Sequence, residues 1–390
     1  MKLLRVISSM DPKSGGPAQG IRNISAQLKK LGVDETIVCM DDEDHNYGIE
    51  ESLHIIRLGK GQTSYQYNPK LFEWLKTNLD SYNVVIIHGL WQYHNLAVYK
   101  AQKWLKKKKK RLPKTIIMPH GMLDPYFQKA ADRKLKAFRN ELVWRLTERK
   151  AINGADALFF TCQSELELAR TTFKRYRPKK EINVGYGIQS PPDFILAYKQ
   201  AFENLCSEIV GKDYFLYLSR IDTKKGVSIL LDAYQVLETE GFSLPQLVIA
   251  GPLDNPYAKE MQEKAKGSTT IHFPGMLKGE AKWGAFYGAS AFVLPSYQEN
   301  FGIAIVEAMA CSVPVLITKK VNIWQEIVEA KAGWAINSPD VQDLKEQLKQ
   351  FCTLTLEEKE QLKSNAKVVF EKLYQVEKTT KVFAEQLKNT

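Results

Sequence analysis

The sequence predicts an α/β protein with two doubly wound parallel-sheet domains. Three observations support this fold class. The chain has 390 residues, of which 44% are apolar, enough for two or three domains. Apolar segments of strand length alternate with helical patterns, and this alternation stops once and starts again. Because open parallel sheets bind ligands outside the carboxyl ends of their strands, two such sheets facing each other would form a cleft.

The first domain is expected over residues 1–190. A strand at 3–8 leads into a polar loop with Gly15 and Gly16, and residues 18–31 then repeat apolar side chains at helical spacing. Further strands are expected at 35–40, 54–58, 84–88, 115–119 and 157–161, with helical patterns such as 70–79 between them. This order is typical of a parallel sheet that is covered on both faces.

The second domain is expected over residues 191–368, after a stretch at 186–211 with few strand signals. Its strands are predicted at 214–219, 246–250, 270–273, 291–294 and 315–318. The end of the chain is charged and helical, without strand signals. We expect residues 369–390 to return to the first domain as a C-terminal helix.

The positive charge of the chain is concentrated in its first half. Residues 1–190 carry 33 Lys and Arg against 19 Asp and Glu, a net charge of +14, whereas residues 191–390 carry 22 against 25, a net charge of −3. The densest part runs from Lys106 to Arg111, where a solvated helix end is an equally good explanation. A basic half favours nucleic acid or an anionic membrane surface as partner. Since Trp104 is not part of a repeating aromatic platform, we expect the membrane surface and no nucleic acid.

Neither a membrane span nor a metal site is predicted. No apolar run approaches the roughly 18 residues of a span, so we expect a cytoplasmic protein, peripheral at the inner face of the membrane. The five cysteines are scattered without a CxxC pair, which argues against a disulfide framework and a zinc site. Asp42 and Asp44 form a DxD pattern, but in an acidic loop that is typical of a solvated surface. No metal and no cofactor are therefore expected.

Two loops that follow strands are candidates for phosphate binding. Gly15 and Gly16 let backbone N–H groups approach an anion at a helix N-terminus, although a plain turn explains them equally well. Arg220 and Lys225 follow the strand at 214–219 and precede a helical stretch. Arginine binds phosphate oxygens bidentately and lysine supplies a point charge, so this pair suits a diphosphate. Neither GxGxxG nor GxxxxGK[ST] occurs, which argues against dinucleotide and P-loop sites.

The strongest motif is PSYQENFGIAIVEAMA at residues 295–310, directly after the strand at 291–294. Glu299 lies in the loop, and Glu307 follows eight residues later on a helix with mostly apolar neighbours. A carboxylate in such surroundings is costly unless it binds something. One carboxylate after a strand and a second along the next helix suit recognition of two sets of hydroxyl groups.

With these residues the chain resembles the retaining GT-B glycosyltransferases of family 4, also called group 1. Their E-x7-E element matches Glu299 and Glu307, and their phosphate-binding pair matches Arg220 and Lys225. The resemblance extends over essentially the whole chain through two further elements. These are the N-terminal glycine loop and the HG element, which match Gly15, Gly16 and Pro119-His120-Gly121. It implies the GT-B fold, two Rossmann-like domains facing a cleft, and a nucleotide-diphosphate sugar as donor substrate.

The resemblance also assigns roles to single residues. It implies a catalytic set of His120, Glu299, Arg220 and Lys225. It places Glu307 at the nucleotide ribose, and it places the donor sugar and base against Glu299, Asn300, Phe301, Gly302, Ile303, Gly275 and Met276. His88 and Trp91 are expected on the acceptor side. Two elements depart from the family pattern: Ser219 replaces the usual glycine, and Gly185-Tyr186-Gly187 replaces Pro-Asn-Gly at the domain junction.

The function that the resemblance implies is retaining, metal-independent transfer of a sugar to a hydroxyl of a glycan or lipid-linked acceptor. Synthesis of a cell-envelope polysaccharide or glycolipid is the expected setting. The implied mechanism is front-face transfer, in which the departing phosphate helps to deprotonate the acceptor. Two alternatives stay open. One is a GT-B sugar-nucleotide enzyme of another reaction type, such as an epimerase or phosphorylase, and the other is a non-catalytic basic protein that binds nucleic acid.

Overall fold

The computed structural model describes residues 1–49, 52–130 and 133–390. In this part of the chain, residues divide into two units, the first formed by Met1–Gly187 with Val376–Thr390 and the second by Ile188–Gln375. The predicted divisions lie after residues 190 and 368. Among the described residues, no helix is both long and apolar enough to cross a membrane.

The first unit is organised around a parallel sheet. Its described strands are β1 (Lys2–Val6), β2 (Asp34–Cys39), β3 (Ile55–Arg57), β4 (Val84–His88), β5 (Lys114–Met118), β6 (Ala157–Phe160) and β7 (Glu181–Asn183). They are ordered β3-β2-β1-β4-β5-β6-β7. Since β1 pairs with both β2 and β4, the strand order reverses at β1, and this is where a ligand crevice is expected in such a sheet.

Helices cover both faces of this sheet. Those described are α1 (Gly16–Lys30), α2 (Pro69–Asn78), α3 (Tyr93–Lys107), α4 (Tyr126–Lys129), α5 (Lys134–Val143), α6 (Arg149–Gly154) and α7 (Gln163–Thr172). Because side chains alternate along a strand, Leu4 and Val6 belong to one buried cluster and Leu3 to another. The first cluster includes α2, α3, α6 and α7, whereas the second includes α1 and the end of the chain.

The second unit repeats the architecture with six described strands. They are β8 (Tyr214–Leu218), β9 (Gln246–Ala250), β10 (Ile271–Gly275), β11 (Ala291–Leu294), β12 (Val315–Thr318) and β13 (Gly333–Ile336). Their order is β10-β9-β8-β11-β12-β13, and all neighbours are parallel. The order reverses between β8 and β11, so the loops after these two strands flank the expected crevice.

The helices of the second unit precede the return of the chain to the first. They are α8 (Leu196–Glu203), α9 (Val227–Thr239), α10 (Pro256–Lys264), α11 (Gly279–Tyr287), α12 (Ile303–Ala310), α13 (Trp324–Glu329), α14 (Val341–Thr353) and α15 (Leu356–Val369). Thr355 and Glu358 form a capping box that begins α15. The last helix, α16 (Val376–Lys388), lies in the first unit, where Phe383 and Leu387 join the buried cluster that contains Leu3.

The predicted fold class is confirmed, but two strands were missed. β7 and β13 are the last strands of their sheets, and each is short. Glu181–Asn183 is only partly buried, and Gly333 begins a strand in which two of four residues are half-buried. Edge strands with one neighbour bury less apolar surface, so their sequence pattern is weak. The C-terminal helix expected at 369–390 is α16, which begins only at Val376. Residues Phe370–Tyr374 continue α15 as a π-helical segment, and Gln375, which has extended backbone, separates it from α16.

Candidate functional site

In the second unit, the loops after β8 and β11 are joined at the point where the strand order reverses. The backbone N–H of Tyr297 donates a hydrogen bond of 2.8 Å to the carbonyl of Lys224. Gly226 has a φ of +72°, and a Cβ at this position would lie 2.0 Å from the carbonyl oxygen of Pro295. Only glycine allows this close approach. The two predicted motifs, far apart in sequence, therefore form one local structure.

Lys225 and Glu299 form an ion pair at the centre of this structure. The ammonium of Lys225 donates to Oε2 of Glu299, and the lysine residue is only 7% exposed. Burial lowers the pKa of Lys225 to about 7, and the positive charges of Lys224 and Arg220 act in the same direction. Burial has removed the Lys225 ammonium from water, and Glu299 is the carboxylate paired with it. An anion that binds beside Lys225 would add a second negative charge and so stabilise the charged form of the lysine.

Arg220 has a different environment from Lys225. Its side chain is 72% exposed, and its nearest acidic partner is Asp222 at 3.6 Å. An exposed pair of this kind contributes little to stability, so the guanidinium can turn toward a ligand at little cost. The structure thus brings the two predicted phosphate-binding cations into one loop but buries only the lysine.

The segment Asn300 to Gly302 leads into α12, which begins at Ile303. Gly302 is the N-cap residue with a φ of +81° and provides no side-chain cap. Asn300 accepts a hydrogen bond of 3.2 Å from Asn322, which holds it beside the loop after β12. Phe301 is buried and packs edge-on against Tyr374 at 5.4 Å. Among these residues, the backbone N–H groups are the part that suits an anion or a sugar hydroxyl.

Glu307 lies on α12, as predicted. It has a cationic partner that the sequence does not predict. Lys282 on α11 donates a hydrogen bond of 2.7 Å to Glu307 Oε1. The ammonium of Lys282 also lies 4.4 Å from the centroid of the Trp283 ring. The only signal for this pair was the high cost of an unpaired carboxylate on an apolar helix. That signal does not say which of the 55 lysines and arginines is the partner.

Gly275 and Met276 lie at the end of β10. Gly275 has a φ of +83°, and its carbonyl accepts a hydrogen bond of 3.0 Å from the N–H of Gly251. Met276 is 49% exposed. A large apolar side chain in this position is available to a flat ligand such as a base, although nothing in its contacts selects one base over another.

In the first unit, Gly15 and Gly16 begin α1 as predicted. Gly15 is the N-cap with a φ of +91°. The hydroxyl of Tyr186 donates a hydrogen bond of 2.7 Å to the carbonyl of Gly16, and a Cβ on Gly20 would lie 2.7 Å from the tyrosine ring. Tyr186, part of the segment that departs from the family pattern, therefore anchors the first turn of α1.

His88 and His120 are brought together beside a buried arginine. Arg5 Nη1 lies 3.1 Å from His88 Nε2, and His88 Nδ1 lies 2.9 Å from His120 Nε2. Because arginine has no acceptor, His88 accepts at Nε2 and carries its proton on Nδ1. His120 must then accept at Nε2 and carry its own proton on Nδ1. With these tautomers, Nδ1–H of His120 is the one ring N–H of the two histidines that is not used in the contacts between Arg5, His88 and His120.

Both histidines are held neutral by this arrangement. Burial, followed by the positive charge of Arg5, lowers the pKa of His120 to about 3. The same two causes, in the same order, lower the pKa of His88 well below its usual range. Arg5 Nη2 has no hydrogen-bond partner among the described residues, and a cavity of about 30 Å³ lies against Arg5, His88 and His120. Such a volume suits one or two water molecules.

A buried glutamate positions the turn that carries His120. Glu165 on α7 accepts hydrogen bonds from the N–H of Gly121, at 2.5 Å, and from the N–H and hydroxyl of Thr161, at 2.8 and 2.6 Å. His120 itself has a left-handed backbone with a φ of 52°. Such a conformation persists only when its surroundings hold it, and the hydrogen bond from Gly121 to Glu165 fixes the residue that follows His120.

Trp91 lies near His88 in a pocket at the carboxyl edge of the sheet. The pocket has a volume of about 280 Å³, and its lining includes Ser8, Ser14, His88, Trp91, Met122 and Arg139. The backbone N–H of Trp91 donates a hydrogen bond of 3.0 Å to Oε1 of the buried Glu148. Its ring packs against Phe173 at 5.3 Å. The position of Trp91 is therefore determined by the core as well as by the pocket.

The basic run from Lys106 to Arg111 lies at the other end of α3. Lys110 pairs with Asp80 at 2.9 Å and lies over the ring of Trp104 at 5.8 Å. The run precedes β5, at the amino edge of the sheet, whereas His88 and His120 lie at the carboxyl ends of β4 and β5. In the described part of the chain, no group of three His, Cys, Asp or Glu side chains is arranged to hold a metal ion.

Two parallel-sheet α/β units with these loops define a protein of the GT-B glycosyltransferase class. Residues 15–185 match the model of the family described as "Glycosyl transferase 4-like domain", and residues 207–369 match "Glycosyl transferases group 1". The two matches cover most of both units. The chain therefore belongs to the group 1, or family 4, glycosyltransferases.

The similarity to curated relatives is confined to part of each chain. The chain is 28% identical over 145 residues to O-antigen chain mannosyltransferase B of Escherichia coli. These residues make up 37% of this chain and 38% of that relative. The match therefore spans well under half of the relative's length.

Solved structures extend the likeness over the whole chain. HepE from Anabaena, in complex with UDP and glucose, has a TM-score of 0.77 at 15% identity and covers 100% of both chains. Sucrose-phosphate synthase from Thermosynechococcus elongatus has a TM-score of 0.74 at 18% identity, covering 100% of this chain and 99% of that one. At these identities the likeness establishes the shared fold.

Proposed function

We propose that this chain transfers a sugar from a nucleotide-diphosphate sugar to a hydroxyl group of a glycan or lipid-linked acceptor. The observation that carries the proposal is the buried Lys225, which is paired with Glu299 at the point where the strand order of the second unit reverses. Family membership supplies the reaction class. UDP and glucose bound to HepE support a nucleotide sugar as donor.

In this proposal, the second unit binds the donor. Lys225 and Arg220 neutralise the diphosphate, and the N–H groups from Asn300 to Ile303 assist at the N-terminus of α12. Glu299 exchanges its lysine partner for hydroxyl groups of the sugar. Glu307 binds the ribose, while Gly275 and Met276 lie beside the base.

In the first unit, Gly15 and Gly16 offer backbone N–H groups, and His120 offers its Nδ1–H. A neutral histidine that donates a hydrogen bond suits a sugar hydroxyl better than it suits proton abstraction, because its low pKa leaves it a weak base. His88 and Trp91 are assigned to the acceptor side, where the pocket of about 280 Å³ provides room for a sugar ring.

The proposed reaction retains the anomeric configuration and needs no metal. The bond from the sugar C1 to the β-phosphate oxygen breaks, and the acceptor oxygen bonds to C1 on the same face. The acceptor proton passes to the departing phosphate oxygen. Negative charge grows on the diphosphate as the bond breaks, and preorganised cations stabilise this charge most strongly where water is excluded.

The O-antigen mannosyltransferase among the relatives supports an acceptor that belongs to the cell envelope. The net charge of +14 over residues 1–190 supports attachment to an anionic membrane at its cytosolic face. The run from Lys106 to Arg111 is the densest part of this charge, so charge considered by itself favours the run as the attachment site.

A thermal-shift panel of UDP, GDP and their sugar conjugates tests the donor site. A ligand at 100 times its Kd stabilises the folded state by about 2.7 kcal/mol. We expect one nucleotide series to raise the Tm of the wild type and to lose this effect in Lys225→Ala. Lys259→Ala, which removes an exposed lysine of the same unit, is the matched control and should respond like the wild type. No response to any nucleotide would contradict the proposal.

Product analysis tests the reaction. With the donor identified, NMR of the product should show the same anomeric configuration as the donor, and turnover should continue in EDTA. An inverted product would contradict retention. Loss of turnover that only Mn²⁺ restores would contradict metal independence.

A further inference from the structure

Helix α5 and the turn after it expose a stripe of large apolar side chains. Leu135 is 88% exposed, Phe138 73%, Leu142 49% and Leu146 61%. Their spacing of three, four and four residues places them on one side of a helix. We call these four residues the apolar stripe. Single exposed apolar residues are ordinary, but a contiguous row marks an interaction surface.

The opposite side of the same segment is firmly packed. Asn140, Trp144 and Glu148 are each 2% exposed or less. The Trp144 ring stacks on Phe173 at 4.7 Å, and its Nε1–H donates a hydrogen bond of 3.0 Å to the carbonyl of Lys174. These contacts determine which side faces outward. The apolar stripe is therefore not a core face that a small rotation of the helix would bury.

Basic side chains surround the apolar stripe. Residues 133–150 contain seven lysines and arginines, which are Arg133, Lys134, Lys136, Arg139, Arg145, Arg149 and Lys150. Glu148 lies on the packed side, so the acidic residue that remains is Glu141, which pairs with Arg145 at 2.6 Å. A helix with an exposed apolar face and basic flanks has the composition of segments that lie in the interface of an anionic bilayer.

We propose that the apolar stripe is the membrane-docking surface of this protein, with anionic phospholipid as its partner. The four apolar side chains enter the boundary between headgroups and acyl chains. The long basic side chains extend to the phosphates. A second copy of this chain is a poor occupant, because a symmetric contact would bring two clusters of basic residues against each other.

The position of α5 separates this surface from the run at Lys106 to Arg111. Residues Lys106 to Arg111 lie at the C-terminal end of α3, just before β5 begins. They are therefore at the amino edge of the sheet. Helix α5 follows β5, and its Arg139 lines the pocket with His88 and Trp91 at the carboxyl edge. Docking through the apolar stripe would place this pocket near the bilayer. The link to a lipid-linked acceptor rests on the proposed function, whereas the docking does not.

Vesicle flotation tests the proposal. The probe is full-length protein with phosphatidylcholine vesicles, either pure or containing phosphatidylglycerol, at low and physiological salt. The wild type should bind the anionic vesicles and not the pure ones. The double variant Leu135→Gln with Phe138→Gln should bind at least about tenfold more weakly. The matched control is Leu205→Gln with Leu356→Gln, which changes residues that are 55% and 82% exposed in the second unit and should bind like the wild type.

Other results would overturn the assignment. The double variant of the apolar stripe could float like the wild type. If the substitution of Lys106, Lys107, Lys108 and Lys109 by Gln then releases the protein from the vesicles, the run from Lys106 to Arg111 is the docking site. If the wild type elutes as a dimer and the double variant as a monomer, a second copy occupies the stripe. A wild type that ignores anionic vesicles at low salt also contradicts the proposal.

A second variant reports insertion directly. Phe138→Trp should show a blue-shifted emission, relative to the wild type, when anionic vesicles are added, and brominated acyl chains should quench it. An unshifted emission would contradict insertion. Nucleotide-dependent stabilisation, measured on the same samples, should be equal in the wild type and all stripe variants. If no nucleotide raises the Tm while the wild type still floats with anionic vesicles, the proposed function is contradicted and the docking surface is supported.

Discussion

The Nδ1 atom of His88 lies 2.9 Å from the Nε2 atom of His120, and the planes of the two rings are only 16° apart, with the ring centroids separated by 5.2 Å. His88 ends β4 and His120 follows β5, so the contact joins the ends of neighbouring parallel strands. Arg5 completes the arrangement from β1 and sets the direction of both hydrogen bonds. The histidine proposed to face the sugar therefore acts as a neutral donor.

Burial and, after it, the charge of Arg5 should keep the pKa of His120 low. In the wild type, NMR signals of the His120 ring should not titrate between pH 5 and 8, since its pKa is about 3. In Arg5→Gln the removal of a positive charge favours protonation, so the His120 pKa should rise. Arg5→Lys keeps the charge and should keep the pKa low. A wild-type His120 that titrates near pH 6.5 would contradict the arrangement.

Affinity for a diphosphate should fall as the pH rises above 7. Lys225 in the free protein has a pKa of about 7, and it must be protonated to bind the anion, whose last ionisation near pH 6 is already complete. Affinity should therefore fall up to about tenfold per pH unit, measured with UDP by titration calorimetry. In Lys225→Arg the charge persists at every pH, and the slope should disappear. A wild-type affinity that is constant from pH 7 to 9 would count against Lys225.

Substitutions of Glu307 and Glu299 should affect donor binding and turnover differently. Glu307→Ala should raise KM, because ribose contacts are the same in the ground state and the transition state. Glu299→Ala should mainly lower kcat, because orientation of the sugar matters most as the transition state forms. Steady-state kinetics with the identified donor would measure both. Unchanged kinetics in both variants would remove the site assignment.

Gly226 should be required for the junction between the two motif loops. Gly226→Ala introduces a Cβ that would lie 2.0 Å from the Pro295 oxygen, in a backbone with a φ of +72°. Gly211→Ala is the matched control, because Gly211 has the same φ of +72° and nothing within 4 Å of its Cβ position. The control should cost about 1 kcal/mol and Gly226→Ala several times more. Equal Tm values for the two variants would contradict the role of the close approach.

The fold and the Glu299 to Glu307 motif were predictable because their signals are local. A parallel strand buried on both faces is a short apolar run, and a covering helix repeats every 3.6 residues, so neither needs distant partners to be recognised. The motif spans one loop and one helix, α12. Its position after a buried strand is the reason why the sequence predicts it to be a ligand-binding segment.

The pairs that determine the chemistry of each unit were decided by tertiary structure. Arg5 and His88 are separated by 83 residues, and Lys225 and Glu299 by 74. Such pairs follow from which strands are neighbours, and a single sequence does not state strand order. Burial then sets the pKa of each group, since the cost of removing a charge from water depends on everything packed around it.

The segment of helix α5 and Trp144 gives a second example of a feature that the sequence leaves open and the tertiary structure decides. Its sequence places apolar residues on more than one side, and periodicity alone would assign Leu135 and Phe138 to a core as readily as Trp144. The fold resolved this choice: Trp144 packs against Phe173, and the other two residues face outward. The helical spacing of Leu135, Phe138 and Leu142 is a property of the sequence itself. Only the packing of the whole unit determined which side meets water, because a helix can bury one face and must expose the opposite one.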